Sequence, residues 1–148
     1  MTQRQLLNIH IGQAGLQIGS AIWELFCLEH GIQNDGVEEE SLSEDDRARM
    51  SLDYLFYETA GGKRWVPRAI HIDLEPTVMD ELRTGSYRRL WNPATLLNAN
   101  EDASNNFARG FYTNGKAILK DVLNTLRLQA NKCDSLCGFN LVTAFSGG

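Results

Sequence analysis

The sequence predicts an α/β domain: a Rossmann-like, mostly parallel sheet with flanking helices, incomplete at its C-terminal end. Three observations carry that expectation. Apolar, strand-like runs alternate with stretches whose apolar residues recur at helical spacing, the order that builds parallel sheets. The first run leads into glycines and the second into carboxylates, both suited to the edge of such a sheet. At 148 residues, 43% of them hydrophobic and 22% charged, the chain can bury one core but not two large domains.

Residues 6–29, LLNIHIGQAGLQIGSAIWELFCLE, are the centre of this plan. A buried strand leads into a turn with Gly12 and Gly15. A helix then sets Leu16, Ile18, Trp23, Leu25, Phe26 and Leu28 on one wide apolar face. His30-Gly31 supplies a left-handed stop. The polar stretch to about Met50 is long for a loop in a compact domain, and reads as a functional insertion or a disordered segment. Residues 52–57 regain apolar character before the turn Ala60-Gly61-Gly62-Lys63. Residues 65–74, WVPRAIHIDL, make a second strand ending in Asp73-Leu74-Glu75-Pro76. Pro76 opens a helix to Thr84, where Arg83 and Gly85 mark the end. Residues 98–110 form an Asn-rich loop. Residues 114–132 form an amphipathic helix with Ile118, Leu119, Val122, Leu123, Leu126 and Ala130 on one face. Residues 138–145 are a buried strand running into Ser146-Gly147-Gly148, the opening of a further glycine turn.

Composition narrows the function classes. A net charge of −5 argues against non-specific nucleic-acid binding. Seven of the 19 acidic residues lie between positions 35 and 46 with no basic residue among them, which reads as a solvated loop. Cys27, Cys133 and Cys137 make no even disulfide framework, no secretory h-region is present, and no apolar run reaches membrane-spanning length. A reducing cytosolic setting with buried or half-buried free thiols is the expectation. Cys133-x-x-x-Cys137 has no second pair to complete a metal site, and His10, His30 and His71 are scattered along the chain.

Three stretches are candidate sites on their residue types. The glycine turn at Gly12 puts unpaired N–H groups and a helix dipole where an anion can approach, which suits a nucleotide phosphate. Gly12-x-x-Gly15-x-x-x-Gly19 matches neither the dinucleotide fingerprint nor the P-loop, so an ordinary strand-to-helix turn competes with that reading. Gln13 tips the balance towards a ligand, since its amide offers both donor and acceptor. Asp73 and Glu75 emerge at the C-terminal end of a strand, where Mg²⁺ can be held through few protein oxygens and several waters; helix capping explains either acid alone. Asn98, Asn100, Asp102, Ser104, Asn105 and Asn106 suit close approach to a ligand or a plain turn equally. A nicotinamide-dependent oxidoreductase fails on spacing. It needs an acidic strand end about 20 residues beyond the glycines, and here that strand end is Asp73.

In register over most of its length, the chain closely resembles the tubulin family. The carrying stretches are GQAGLQIG at 12–19, WELFCLEHGIQNDG at 23–36, VPRAIHIDLEPTVMDELRTGSYRRLWNP at 66–93 and EDASNNFARGFYTNGK at 101–116. CLEHGIQ at 27–33, DLEPTVMDELRTG at 73–85 and EDASNN at 101–106 point to the α branch. The first few residues and the insertion around 37–53 lie outside the match.

The resemblance implies a GTP-binding domain in a protein that pairs with β-tubulin and polymerises into microtubules, in the cytoplasm and cytoskeleton, with no nucleic-acid or membrane partner. It implies that Gly12, Gln13, Ala14 and Gln17 line the first phosphate and base loop, and that Asp73 and Glu75 sit at Mg²⁺, Glu75 the more direct. It further implies that Asp102, Ala103, Ser104 and Asn105 lie near the γ-phosphate and that Gly147 and Gly148 begin the main phosphate loop. Ala144 stands where the α branch usually carries a phosphate-contacting Ser, and the Lys that many members carry in the lumenal loop has no counterpart before Lys63. The segments for ribose, base and hydrolysis are expected beyond these residues, so weak GTP binding without hydrolysis is the expectation for the chain alone. The alternative is a truncated, non-polymerising chain that binds a tubulin partner or chaperone.

Overall fold

Side-chain alternation on two central strands decides the layering. In the computed structural model, which describes residues 4–40, 43, 51–62 and 64–145, β1 (Gln5–Ile11) and β4 (Ala69–Asp73) pair in parallel, with Asn8 opposite Ala69 and Ile11 opposite Ile72. Ile70, Ile72 and Leu7 point to one face, while His10, Ala69 and His71 point to the other. Strands covered on both faces are expected of a parallel sheet. The order is β5-β4-β1-β6, with β5 (Leu96–Asn98) beside β4 and β6 (Leu136–Val142) beside β1, all parallel. The helix α1 (Gly12–Glu29) and the helix α2 (Pro76–Thr84) cover one face, and α3 (Gly115–Ala130) covers the other.

The larger core lies under α1 and α2. Trp23, fully buried, meets Phe26, Phe56 and Trp91 edge-on at centroid distances of 5.4, 5.3 and 6.5 Å. Leu16, Cys27, Met79 and Leu90 fill the space around it. On the opposite face Leu7, Ile70 and Ile72 receive Ile118, Val122 and Leu126 of α3. Each fully buried aliphatic side chain here contributes about 1.5–3 kcal/mol through removal from water.

Several expectations hold and several are corrected. α2 spans the residues expected, with Pro76 at its first turn and Arg83 near its end, and Gly31 takes the left-handed conformation (φ 61°). The single strand expected over 65–74 is two. β3 (Trp65–Pro67) pairs antiparallel with β2 (Phe56–Glu58), and only after Arg68 does the chain join the main sheet. Pro67 has no N–H to continue a ladder, and the buried Arg68 guanidinium turns to donate to the carbonyls of Asp53 (3.0 Å) and Lys132 (3.1 Å). The wide apolar face expected on α1 is narrower: Gly15, Leu16, Gly19, Trp23 and Cys27 are buried, while Ile18, Leu25 and Leu28 are exposed. On α3, Leu119 and Leu123 are likewise exposed.

The helix expected from 114 begins earlier. Helical backbone starts at Phe107 and passes through a π-helical turn, Arg109–Asn114, before the α-helix proper. Gly115 donates its N–H to the Gly110 carbonyl five residues back, and a Cβ at 115 would lie 2.3 Å from that oxygen. The strand expected over 138–145 runs instead over Leu136–Val142, is largely exposed (Phe139 53% and Leu141 57%), and has β1 as its one strand neighbour among the described residues. Cys137 on it is an exposed thiol rather than a buried or half-buried one. Of the acidic stretch, residues 41, 42 and 44–46 lie outside the described residues; the part before them folds back, with Ile32 buried and bridged to Glu38.

Candidate functional site

The strand order places a crevice before any ligand is considered. From β1 the chain crosses by α1 towards β4 on one side, and later returns by α3 to β6 on the other. That reversal is a topological switch point, and open α/β sheets bind ligands outside the C-terminal strand ends at such a point. Here those ends are Ile11 of β1 and Val142 of β6, flanked by Asp73 of β4 and Asn98 of β5.

Gly12 follows β1 with no intervening loop. Its φ of +73° is a left-handed value that favours glycine, and the space around a hypothetical Cβ is open. Gln13 is exposed and Ala14 half-buried in the first turn of α1. That turn carries no acidic residue and Ile11 caps it with no side chain, so no group of its own offsets its N–H groups and the dipole of an 18-residue helix at the crevice. Gly15 and Gly19 have a different task from Gly12. A Cβ on Gly15 would lie 2.5 Å from the Val142 carbonyl, and one on Gly19 would lie 2.3 Å from His10 Nδ1. These two glycines let the helix lie directly on the ends of β1 and β6.

Asp73 closes β4, and its carboxylate accepts the Glu75 N–H at 3.2 Å. Burial raises its pKa; the N–H groups of Glu75 and Leu74 oppose this, and the negative charges of Glu75 and Asp102 add to it. Like charge gathered on a half-buried edge is a site that a cation would relieve. Glu75 Oε1 also accepts from Thr77 Oγ1 at 2.5 Å. Among the described residues no three carboxylate, His or Cys side chains form a closed metal cage.

The 102–105 loop stands over the same edge. Ala103 is buried and anchors it, Ser104 and Asn105 take φ of 50° and 57°, and Asp102 Oδ1 accepts from both the N–H (3.2 Å) and hydroxyl (3.0 Å) of Ser104. Gln17 stands apart. One turn further along α1, it lines a cleft of about 250 Å³ with Leu16, Ser20, Val78, Glu81 and Leu82, between α1 and α2. Gly147 and Gly148 lie outside the described residues; Ala144, just before them, is exposed beyond β6.

Two features escaped the sequence reading. His10 and His71, scattered in sequence, stack at 4.8 Å because register pairs their residues across β1 and β4. Trp23 Nε1 donates to His10 Nε2 at 3.0 Å, while neither ring nitrogen of the fully buried His71 has a hydrogen-bond partner. Burial lowers the His10 pKa from 6.5 to about 4, against a weaker opposing pull from the Gly15 backbone. His71 is lowered well below its ordinary value by burial and then by His10. The other is Asn114, whose side chain returns to the 102–105 loop; only the π-helical turn, invisible to helical periodicity, brings it there.

Comparison with known proteins agrees with this geometry. The model of the tubulin/FtsZ family, GTPase domain, matches residues 5–148. The chain is 46% identical over 148 residues to a tubulin alpha chain of Dictyostelium discoideum and 46% identical over 145 residues to a tubulin alpha-2 chain of Caenorhabditis elegans. Each alignment covers 98% of this chain and 32% of the relative, so the chain spans about a third of the length of these proteins. The sheet, its flanking helices and the near-complete family match together lead to one assignment: the chain belongs to the tubulin/FtsZ family, through its GTPase domain.

Proposed function

We propose that this chain forms the phosphate- and magnesium-facing part of a GTP site in an α-tubulin-like structural subunit, one that pairs with β-tubulin and joins microtubules in the cytoplasmic cytoskeleton. The observation that carries the reading is the convergence of the Gly12 turn, Asp73 with Glu75, and the 102–105 loop at one sheet edge beside a switch point.

The residues fit a nucleotide polyphosphate with its Mg²⁺. The open first turn of α1 offers N–H groups to phosphate oxygens, Gly12 leaves room for their approach, and Gln13 can donate or accept beside them. Asp73 and Glu75 hold the cation directly or through water, which suits Mg²⁺ because it keeps several waters and takes few protein oxygens. Bound there, the ion neutralises phosphate charge. Ala103, Ser104 and Asn105 present backbone to the outer phosphates, since the Asp102 carboxylate is already engaged by Ser104. In this reading the groups of the described residues bind and orient, and binding without turnover is expected of the chain alone.

A second reading is a tubulin-like chain that binds a partner or chaperone without polymerising, and the exposed apolar side chains Ile18, Leu25, Phe139 and Leu141 favour it. Retained β-tubulin binding with loss of assembly separates the two. The nucleotide reading is tested by calorimetric titration of the chain with GTP, GDP and NAD⁺, with and without Mg²⁺. Weak, Mg²⁺-dependent binding of guanine nucleotides, with the Mg²⁺ dependence reduced in Glu75→Ala, is expected. Tight NAD⁺ binding without GTP binding overturns the reading, and GTP turnover abolished by Glu75→Ala overturns its non-hydrolytic part.

A further inference from the structure

We infer that Asn114 is a positioning residue for the 102–105 loop, holding its backbone in the conformation that faces the nucleotide phosphates; this rests on the guanine-nucleotide reading of the site. Asn114 Nδ2 donates to two successive carbonyls of the loop's entry, Asp102 at 2.8 Å and Glu101 at 3.2 Å. Both carbonyls belong to the strand side of the loop, whereas Asn114 belongs to the helix that follows it, so one amide closes the loop across a gap of twelve residues. With these oxygens turned towards Asn114, Ser104 and Asn105 then enter the left-handed region in succession (φ 50° and 57°). Such backbone is costly for residues other than glycine and persists where surrounding contacts over-determine it.

The contacts here are layered. Arg109 pairs with Glu101 at 3.0 Å, Asn106 Oδ1 accepts the Arg109 N–H at 3.2 Å, and Ala103 is sealed into the core. The ion pair is exposed and worth little by itself. Asn114 is the side chain that grips the loop's own carbonyls.

The π-helical turn is what makes this reach feasible. An α-helix advances about 100° per residue, so one inserted residue turns the face presented by position 114 by about that angle. The turn needs Gly115, since any Cβ there would collide with the Gly110 oxygen. A helix distortion beside a loop at the ligand-binding edge therefore has a defined task, to aim one amide at that loop.

The test compares the chain with Asn114→Ala and with Asn114→Asp, which keeps the shape and removes the N–H donors. Amide hydrogen exchange of the 101–106 segment is read without nucleotide, GTP and GDP affinities are read with Mg²⁺, and the melting temperature serves as the control. Both variants are expected to exchange faster in that segment by roughly 3- to 10-fold, the size of one or two lost hydrogen bonds. Exchange in β1 and β4 should stay unchanged, and GTP should weaken by a similar factor while GDP changes less. Unchanged exchange in both variants overturns the proposal, as does faster exchange with unchanged GTP affinity, or an Asp variant that behaves as the parent. If the parent chain binds no guanine nucleotide while the variants still exchange faster, the reading of the site has failed and the role towards nucleotide falls with it.

Discussion

Replacing Gly19 by Ala tests how tightly α1 is seated on β1. A Cβ at that position would lie 2.3 Å from His10 Nδ1 and 2.7 Å from Cγ and Cε1. A flexible side chain would move aside, but the His10 ring is buried, stacked on His71 at 4.8 Å and tied to Trp23 at 3.0 Å. Alanine favours an α-helix over glycine by about 1 kcal/mol. Against this, overpacking a filled core costs about 1–3 kcal/mol. Displacing the ring also strands the Trp23 donor and the His10 acceptor, adding about 1–3 kcal/mol. The net expectation is a loss of roughly 1–5 kcal/mol, or about 3–15 °C in melting temperature for a chain of this size. Urea unfolding at neutral pH measures it, and a double-mutant cycle identifies the cause. With His10→Ala already in place the collision is gone, and Gly19→Ala should turn mildly stabilising. Gly19→Ala that stabilises by itself, or costs the same in both backgrounds, refutes the reasoning.

Other consequences concern the same layer and its edge. His71→Phe removes two buried nitrogens that have no partner while keeping a flat ring against His10 and Trp91, and should stabilise by about 1–3 kcal/mol in chemical denaturation. Acid should weaken the fold. Both histidines are depressed bases, so their contribution is full above the unfolded value of 6.5 and declines as pH falls, by about 1.4 kcal/mol per unit per histidine, with the His10 part complete near its folded value of about 4. A stability curve flat between pH 7 and 5 would contradict this. Asp73→Asn removes a carboxylate whose charged form burial disfavours. It should therefore raise the ligand-free melting temperature at neutral pH and weaken any Mg²⁺-dependent nucleotide binding, both readable in one thermal-shift series. Gly115→Ala should straighten the π-helical turn or destabilise it by about 1–3 kcal/mol, seen as a changed amide pattern over 109–115.

Local chemistry made some elements legible. Pro76 opens α2 with a fixed φ, Gly85 closes it where a Cβ would lie 2.7 Å from the Glu81 carbonyl, and a glycine after β1 marks the strand-to-helix junction. The misses share a different origin. Ile18 and Leu25 are as hydrophobic as Leu16, and only tertiary placement on β1 and β4 decides which of them are buried. Strand β6 reads as a core strand because Phe139, Leu141 and Val142 are apolar, yet the sequence pattern carries no information on what covers the faces of a strand. The break at Arg68 depends on acceptors from residues 53 and 132, far away in sequence. At the site, the glycine turn and the strand-end acids were visible because anion and cation chemistry restrict the residue types there. The His10–His71 stack was not, since it exists only through strand register. Asn114 was equally hidden, because a π-helical turn has no compositional mark beyond the glycines that permit it.

The most direct measurement is a backbone amide NMR titration of the chain with GTP and Mg²⁺. The account predicts shifts concentrated at Gly12, Gln13 and Ala14, at Asp73 and Glu75, and across Asp102, Ala103, Ser104 and Asn105, with the second group responding only when Mg²⁺ is present. Shifts confined to the cleft between α1 and α2, around Gln17, Val78 and Glu81, or no shifts at the C-terminal sheet edge at saturating nucleotide, would contradict it.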